Sequence, residues 1–265
     1  MDYTHTLVDH LVSIIMPAYN SESFIKESIL SVQKQTYTNW ELLIIDDCST
    51  DRTVDTVHSF NDSRIKLIEL EQNSGAAVAR NAGIKQARGE FLAFLDSDDL
   101  WTEEKLEKQI EFMRENNYDF TCTEYAEMNE EGAIVNLIEV SDQLDYNGVL
   151  KYCPGNSTII YNAKRLGKFY APEIKRRNDF ALWLKVIKKA GHVHGLHETY
   201  SIYRVRSQSL SSNKFKLISH QWNVLYNIEG LSWLKSAYIL LHKIYTVITK
   251  HNKVEVVKNE KHSSH

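Results

Sequence analysis

Two runs of apolar residues stop abruptly at clusters of carboxylates. The first is Leu42-Leu43-Ile44-Ile45, followed by Asp46-Asp47. The second is Phe91-Leu92-Ala93-Phe94-Leu95, followed by Asp96-Ser97-Asp98-Asp99. Short apolar runs without alternation read as strands buried on both faces, as in a parallel sheet. Open sheets of that kind bind ligands beyond the carboxyl ends of their strands. Carboxylates crowded there are costly unless a cation or a hydrogen-bond donor sits among them. The Asp-x-Asp spacing offers hard oxygens to Mg2+ or Mn2+, and such an ion can hold a diphosphate. The two clusters point to a metal–nucleotide site.

The first half of the chain alternates strand and helix signals around those clusters. Leu11 to Met16 reads as a strand ended by Pro17. Ile25, Ile29 and Val32 share one helical face. Trp40 to Ile45 is the second strand. Ser49 or Thr50 is placed to cap a helix whose stripe is Val54, Val57 and Phe60. Ile65 to Leu70 is a third strand, and Asn73-Ser74-Gly75 opens an alanine-rich helix through Ala87. Phe91 to Leu95 is the fourth. Thr102 is placed to cap a helix carrying Leu106, Ile110 and Met113, and Asp119 to Thr123 is a fifth strand. This order implies an α/β fold with a mainly parallel sheet covered on both faces. Past Glu124 the pattern loosens into polar weak strands and turns from Glu127 to Gly148. Ser157 to Tyr161 reads as a strand. Asp179 to Ala190 reads as a helix with Phe180, Trp183, Leu184 and Ile187 on one face. Thr199 to Val205 is another strand, the serine-rich loop Ser207 to Ser212 follows, and one or two amphipathic helices run from about Phe215 to Lys250.

The chain has 265 residues, which suits one large domain with an appendage. The expected division is a catalytic domain over 1–212, with halves 11–125 and 126–212, and a helical region over 213–265. A net charge of −4 argues against broad nucleic-acid binding. Cys48, Cys122 and Cys153 form no C-x-x-C pair and read as reduced cytoplasmic thiols. Met1 to His10 is polar, without the apolar core of a secretory signal. Trp233 to Ile248 is broken by Lys235, His242 and Lys243, too polar for a membrane span. From Arg204 onward ten basic residues face three acidic ones, a net of +7, interleaved with aromatics. Such a tail either packs on the catalytic domain or lies on an anionic membrane surface.

Four segments occur in order: Pro17-Ala18-Tyr19-Asn20, Asp46 through Asp51, Asn73-Ser74-Gly75 with Ala79-Arg80-Asn81-Ala82-Gly83, and Leu95 through Asp99. Together they resemble the family-two inverting glycosyltransferases of the GT-A fold. The resemblance covers about Val12 to Tyr125, and extends more loosely to Asp179 and Tyr203-Arg204. It implies a UDP-sugar donor and Mn2+ or Mg2+. On the nucleotide side it places Pro17, Ala18 and Tyr19 along the nucleoside, with Asp46 accepting from the uracil ring N–H and Asp47 beside it. Gly75 and Arg80 lie near the nucleotide, and small residues at Gly75, Ala76, Ala79 and Gly83 allow close approach. Asp96 meets the ribose or metal-bound water, next to Ser97, and Asp98 and Asp96 are the metal ligands. Asp99, Trp101 and Trp183 fall on the acceptor side. Asp179 is the general base, with Asn178 standing where many relatives carry glutamate. A helix cap is the alternative for Asp179, and a polar surface loop for Arg204, Arg206, Ser207 and Ser209, which otherwise close over the diphosphate. His192, His194 and His197 read as strand or turn residues, with His194 or His197 as a third metal ligand in the alternative.

The later segments resemble bacterial enzymes that build O-antigen or capsule repeat units. These extend an N-acetylhexosamine held on a polyprenyl diphosphate with β-linked galactose or glucose. The resemblance therefore implies a peripheral enzyme on the inner face of the cytoplasmic membrane. Other donors or acceptors, such as UDP-GlcNAc, stay open, as does a non-catalytic nucleotide-sugar-binding protein. A nucleotidyltransferase lacks its glycine-rich triphosphate loop here. No motif distinguishes glucose from galactose, which differ by one hydroxyl.

Overall fold

The computed structural model describes residues 7–205 and 214–246. In chain order the first elements are β1 (Val8–Ala18), α1 (Ile25–Gln33), β2 (Trp40–Asp46), α2 (Thr53–His58), β3 (Ile65–Glu69), α3 (Ala76–Gln86) and β4 (Gly89–Phe94). Then come β5 (Leu100–Trp101), α4 (Lys105–Glu115), β6 (Phe120–Met128), β7 (Ile134–Ile138), β8 (Gln143–Leu144) and α5 (Tyr146–Lys151). A 3-10 turn at Asn156–Thr158 leads into β9 (Ile160–Asn162), α6 (Ala163–Leu166), α7 (Asn178–Ala190) and β10 (Val193–Arg204). The chain closes with α8 (Lys214–Trp222), a π-helical segment at Asn223–Ile228, and α9 over 233–246.

The strands form one mixed sheet in the order β3-β2-β1-β4-β9-β6-β10-β5, with β7 on β6 and β8 on β10. β3, β2, β1 and β4 are mutually parallel, as are β6 and β10, while β9 runs antiparallel to both β4 and β6. The central strands are buried on both faces, so their apolar runs divide by parity. Ile15, Leu43, Ile45, Leu92 and Phe94 face the layer containing α3 and α7. Ile14, Met16, Leu42, Ile44 and Leu95 face the layer containing α1 and α4. Alternation is thus present in space although both faces are apolar in sequence. Gly83 on α3 shows why a small residue is required. A Cβ there would stand 2.6 Å from Ile45 Cδ1 and 2.8 Å from Ile15 Cγ2.

Several local readings change. β1 continues through Pro17, which pairs with Ile45. Neither Ser49 nor Thr50 caps α2. Its N-cap is Arg52, without a side-chain cap, and Asp51 Oδ1 just before it accepts from the Thr53 N–H (3.0 Å) and hydroxyl (2.6 Å). Ser49 and Thr50 instead bond Asn20 across the crevice. Thr102 does not cap α4, which starts at Lys105 without a side-chain cap. β10 begins at Val193, earlier than its composition suggests, because His194 lies flat on Tyr118 at 3.5 Å between ring centroids. His197 is held by Asp142 (2.7 Å) and Glu124 (3.4 Å). The C-terminal helices join the core: Val224, Leu225 and Ile239 are buried with Trp183. No described helix is long and apolar enough to cross a membrane.

Candidate active site

β1 and β4 lie side by side while their neighbours run to opposite sides, so a crevice opens beyond their carboxyl ends. Asp46 ends β2, paired with Ala18. Its Oδ2 accepts the Ser49 N–H at 2.9 Å, but its Oδ1 is buried without a partner. Asp47 turns away to the loop before α3. It accepts from Ser74 N–H at 2.7 Å and Gly75 N–H at 2.8 Å, one on each carboxylate oxygen. Gly75 has φ +90°, a left-handed backbone that a side chain would strain. Tyr19 is half exposed above this end of the sheet, with Pro17 and Ala18 beneath it.

The acidic loop after β4 is held by the buried turn Asn156-Ser157-Thr158. Asp96 donates its N–H to Ser157 Oγ (3.1 Å), and its Oδ1 accepts from Asn156 Nδ2 (2.8 Å). Ser157 Oγ donates to Asp99 Oδ2 at 2.6 Å. Ser97 is tied to Ser21 Oγ at 2.8 Å and through its carbonyl to Ser28. Asp96 and Asp98 remain partly open to the crevice. Desolvation pushes the Asp96 carboxyl up to about 6; the Arg80 guanidinium opposes this, and Asp98 and Asp179 add to it. Asp99 is raised further, chiefly by burial and then by Asp96 and Asp98.

Arg80 reaches this loop from α3. It is buried, donates through Nη1 to Asn178 Oδ1, and lies 3.6 Å from Asp96 Oδ1 through Nη2. Its Nε is buried and unpartnered. Asn178 thus orients Arg80 at the start of α7, and Asp179 follows in the first helical turn, partly exposed. Arg204, at the end of β10, donates through Nη2 to Glu27 (2.6 Å) and through Nε to the Asp98 carbonyl (3.3 Å). Arg206, Ser207 and Ser209 lie outside the described residues.

The three residues expected on the acceptor side are all buried. Trp183 is fully buried, 4.8 Å from Phe94 between ring centroids, because it lies on the α7 stripe that faces the sheet. Trp101 is 4% exposed, with Nε1 donating to the Ser157 carbonyl at 2.7 Å. Asp99 is 3% exposed and accepts from both Ser157 and the Arg204 N–H. Trp101 and Asp99 support the loop from behind through Ser157, and Trp183 fills the core beneath the sheet. Asn156, Ser157 and Asn178 were missed as site residues. Asn156 and Ser157 sit at no recognisable motif, and only their burial next to the acidic loop reveals them, whereas Asn178 was noted solely as standing where many relatives carry glutamate.

Among the described residues, no group of three or more His, Cys, Asp or Glu side chains converges as a metal cage. Asp96 and Asp98 nevertheless suit a hard divalent cation. They are hard oxygen donors two residues apart on the loop at the crevice, the Asp98 charge acts on Asp96 against the Arg80 guanidinium, and Mg2+ or Mn2+ takes its remaining ligands from phosphates and water.

Residues 13–171 match glycosyl transferase family 2. The chain is similar to the Escherichia coli UDP-Glc:alpha-D-GlcNAc-diphosphoundecaprenol beta-1,3-glucosyltransferase WfgD. The two are 44% identical over 246 residues, covering 92% of this chain and 96% of WfgD. Among solved structures it resembles Staphylococcus aureus TarS 1–349 in complex with UDP-GlcNAc (TM-score 0.68, 26% identity, 88% of this chain and 71% of that one). It also shares its fold with the mannosyltransferase PcManGT of Pyrobaculum calidifontis, in complex with GDP-Man and Mn2+ (TM-score 0.65, 15% identity, 95% and 79%). Four motifs at the carboxyl edge of one sheet, a GT-A architecture and relatives matched nearly end to end lead to one conclusion: the chain is a glycosyltransferase of family 2.

Proposed function

We propose that this enzyme moves a hexose from a UDP-sugar onto a sugar held by a lipid diphosphate, forming a β-linkage. The observation that carries the reading is the convergence of Asp179 with Asp96 and Asp98 at one crevice, close enough for their charges to act on Asp96. Asp46 Oδ1, an unmet buried acceptor, suits the ring N–H of uracil, and Tyr19 offers a face to the base. Arg80, with its unpartnered Nε, suits a phosphate oxygen. Asp98 and Asp96 are the residues that would hold Mn2+ or Mg2+. The ion supplies charge neutralisation at the diphosphate.

In this reading the acceptor hydroxyl attacks the anomeric carbon of the donor while Asp179 takes its proton. The new C–O bond forms opposite the departing UDP, the bond to the diphosphate breaks, and configuration inverts. An α-linked donor gives a β-linked product. WfgD takes UDP-Glc, which favours glucose over galactose here. The structural likeness to TarS with UDP-GlcNAc makes that sugar the competing donor.

Because the acceptor is a lipid, the enzyme works at the inner face of the cytoplasmic membrane. α9 supports this placement. Leu234, Tyr238, Leu241 and Tyr245 are each more than half exposed and recur at i, i+4, i+7 and i+11, forming one apolar stripe.

The test is a donor screen. Purified protein with Mn2+ and an N-acetylglucosamine-diphospho-alkyl acceptor is incubated separately with UDP-Glc, UDP-Gal, UDP-GlcNAc and UDP-GalNAc. One of the two hexoses is expected to give product, and Asp179→Ala to lower kcat by about 100-fold or more, the scale of a lost general base. Turnover of UDP-GlcNAc alone overturns the hexose assignment. Full activity in Asp179→Ala overturns the base.

A further inference from the structure

α9 does more than close the core. Its inner face carries Ser236 and Ile239, both buried, and one turn further Lys243. The Lys243 ammonium lies 4.2 Å from the centroid of the Phe180 ring, the residue directly after Asp179. His242, beside it, is fixed by Tyr152, whose hydroxyl is 3.0 Å from His242 Nε2. A lysine directed inward beside Ile239, onto the buried Phe180 ring, needs a reason. Lys235, by contrast, stays at the rim on Asn147 Oδ1.

A second cation stands at the same first turn of α7. Arg177 immediately precedes α7 and holds φ 61° and ψ 21°, a left-handed conformation uncommon for a non-glycine residue. Its Nε is buried with no hydrogen-bond partner. Among the described residues neither Arg177 nor Lys243 forms an ion pair. Burial pulls the Lys243 ammonium down to about 8. Cys153 and Asp179 oppose the shift, and the Arg177 charge adds to it. Two cations therefore stand at the amino terminus of a 13-residue helix whose dipole favours an anion, Arg177 as its N-cap and Lys243 against Phe180 of its first turn. An anion between them relieves the repulsion and fills the open guanidinium donor.

We propose that Arg177 and Lys243 form a subsite for the diphosphate of the acceptor, beside the base Asp179. The inference rests on the function proposed above. The donor's diphosphate belongs with Asp96, Asp98 and Arg80, which approach Asp179 from the sheet and α3. Arg177 and Lys243 approach it from the start of α7 and from α9. The outer face of α9 is the apolar stripe. A molecule whose sugar sits at Asp179 and whose chain lies in a bilayer has its diphosphate between those two points, where the cations are.

The experiment compares two acceptors with the same sugar and alkyl chain, one joined through a diphosphate and one through a neutral glycosidic bond. Wild type, Arg177→Gln, Lys243→Gln and Lys243→Arg are assayed with the UDP-hexose and Mn2+. The readout is the ratio of kcat/KM for the charged over the neutral acceptor. Lys243→Gln and Arg177→Gln are each expected to lower that ratio about 10- to 100-fold, the range of one charged hydrogen bond. The loss falls mainly in acceptor KM, and Lys243→Arg restores most of it. A parallel fall with both acceptors at an unaltered ratio overturns the subsite and leaves Lys243 a structural residue. A raised KM for the UDP-sugar at an unaltered ratio also overturns it, assigning the cations to the donor. If wild type turns over neither acceptor with any UDP-hexose, the proposed function itself fails, and the subsite with it.

Discussion

Asp46 and Asp47 are adjacent in sequence, yet their side chains do different things because the backbone turns sharply after them. Cys48 takes φ 61°, and its thiol donates to the Leu70 carbonyl at 2.9 Å, which swings the chain over the end of β3. Asp46 stays at the head of its strand with one oxygen unmet, while Asp47 fastens the loop before α3 through two backbone N–H groups. The two substitutions therefore separate. Asp46→Ala is expected to raise the KM for the UDP-sugar by about 10- to 100-fold, the cost of one charged hydrogen bond, with a smaller change in Tm. Asp47→Ala releases two charge-assisted bonds and is expected to cost about 2–3 kcal/mol of stability in urea unfolding. The reverse pattern, with Tm falling mainly in Asp46→Ala, would remove the division of labour. Trp183 makes the same point in the other direction: a tryptophan one turn from Asp179 is a core residue because α7 turns that stripe to the sheet.

At the level of elements, α4 is anchored by a buried lysine. Lys105 is fully buried, donates to Gln109 Oε1 at 2.6 Å and lies 4.4 Å from the Trp101 ring centroid. Gln109 in turn bonds Thr121 Oγ1 and the Thr158 carbonyl, both at 3.0 Å, tying the helix to β6 and to the turn that carries the acidic loop. Burial pulls the Lys105 ammonium from its ordinary 10.5 down to about 7. Between those values the unfolded chain holds a proton that the folded chain has lost, so stability rises with pH across that window, and the charge penalty is full only below about 7. Lys105→Met has no such group. Wild type is expected to gain on the variant by a few kcal/mol between pH 7 and 10.5, read from urea unfolding at both values. Parallel stability profiles would mean that the ammonium is not buried in solution.

For the whole molecule, α9 links two surfaces. Its inner face meets α7 beside Asp179, and its outer face exposes Leu234, Tyr238, Leu241 and Tyr245. Burying one exposed leucine is worth about 1.5–3 kcal/mol, so two of them would dominate the proposed contact with a bilayer. The double variant Leu234→Ser, Leu241→Ser is expected to reduce co-sedimentation with phosphatidylglycerol vesicles at least tenfold, while turnover of a short-chain soluble acceptor persists. Equal sedimentation of wild type and variant would assign the stripe to another partner.

The apolar runs, their acidic ends and the small residues of α3 were legible because each is a local signal. A strand buried on both faces must be apolar throughout, a carboxylate cluster must follow it closely, and a helix that touches the sheet must have a glycine where Gly83 stands. Family and fold were readable at that level, and so was the placement of Asp46 and Asp96 at strand ends. Burial and long-range contact carry no such signature. Asn156 and Ser157 reach the acidic loop across about sixty residues of chain, Asn178 meets Arg80 across 98, and Lys243 arrives on a helix that only docking brings to α7. Whether a tryptophan lines a site or fills a core, and which cation stands at the start of α7, depends on how the layers pack. Neighbours along the chain do not encode it.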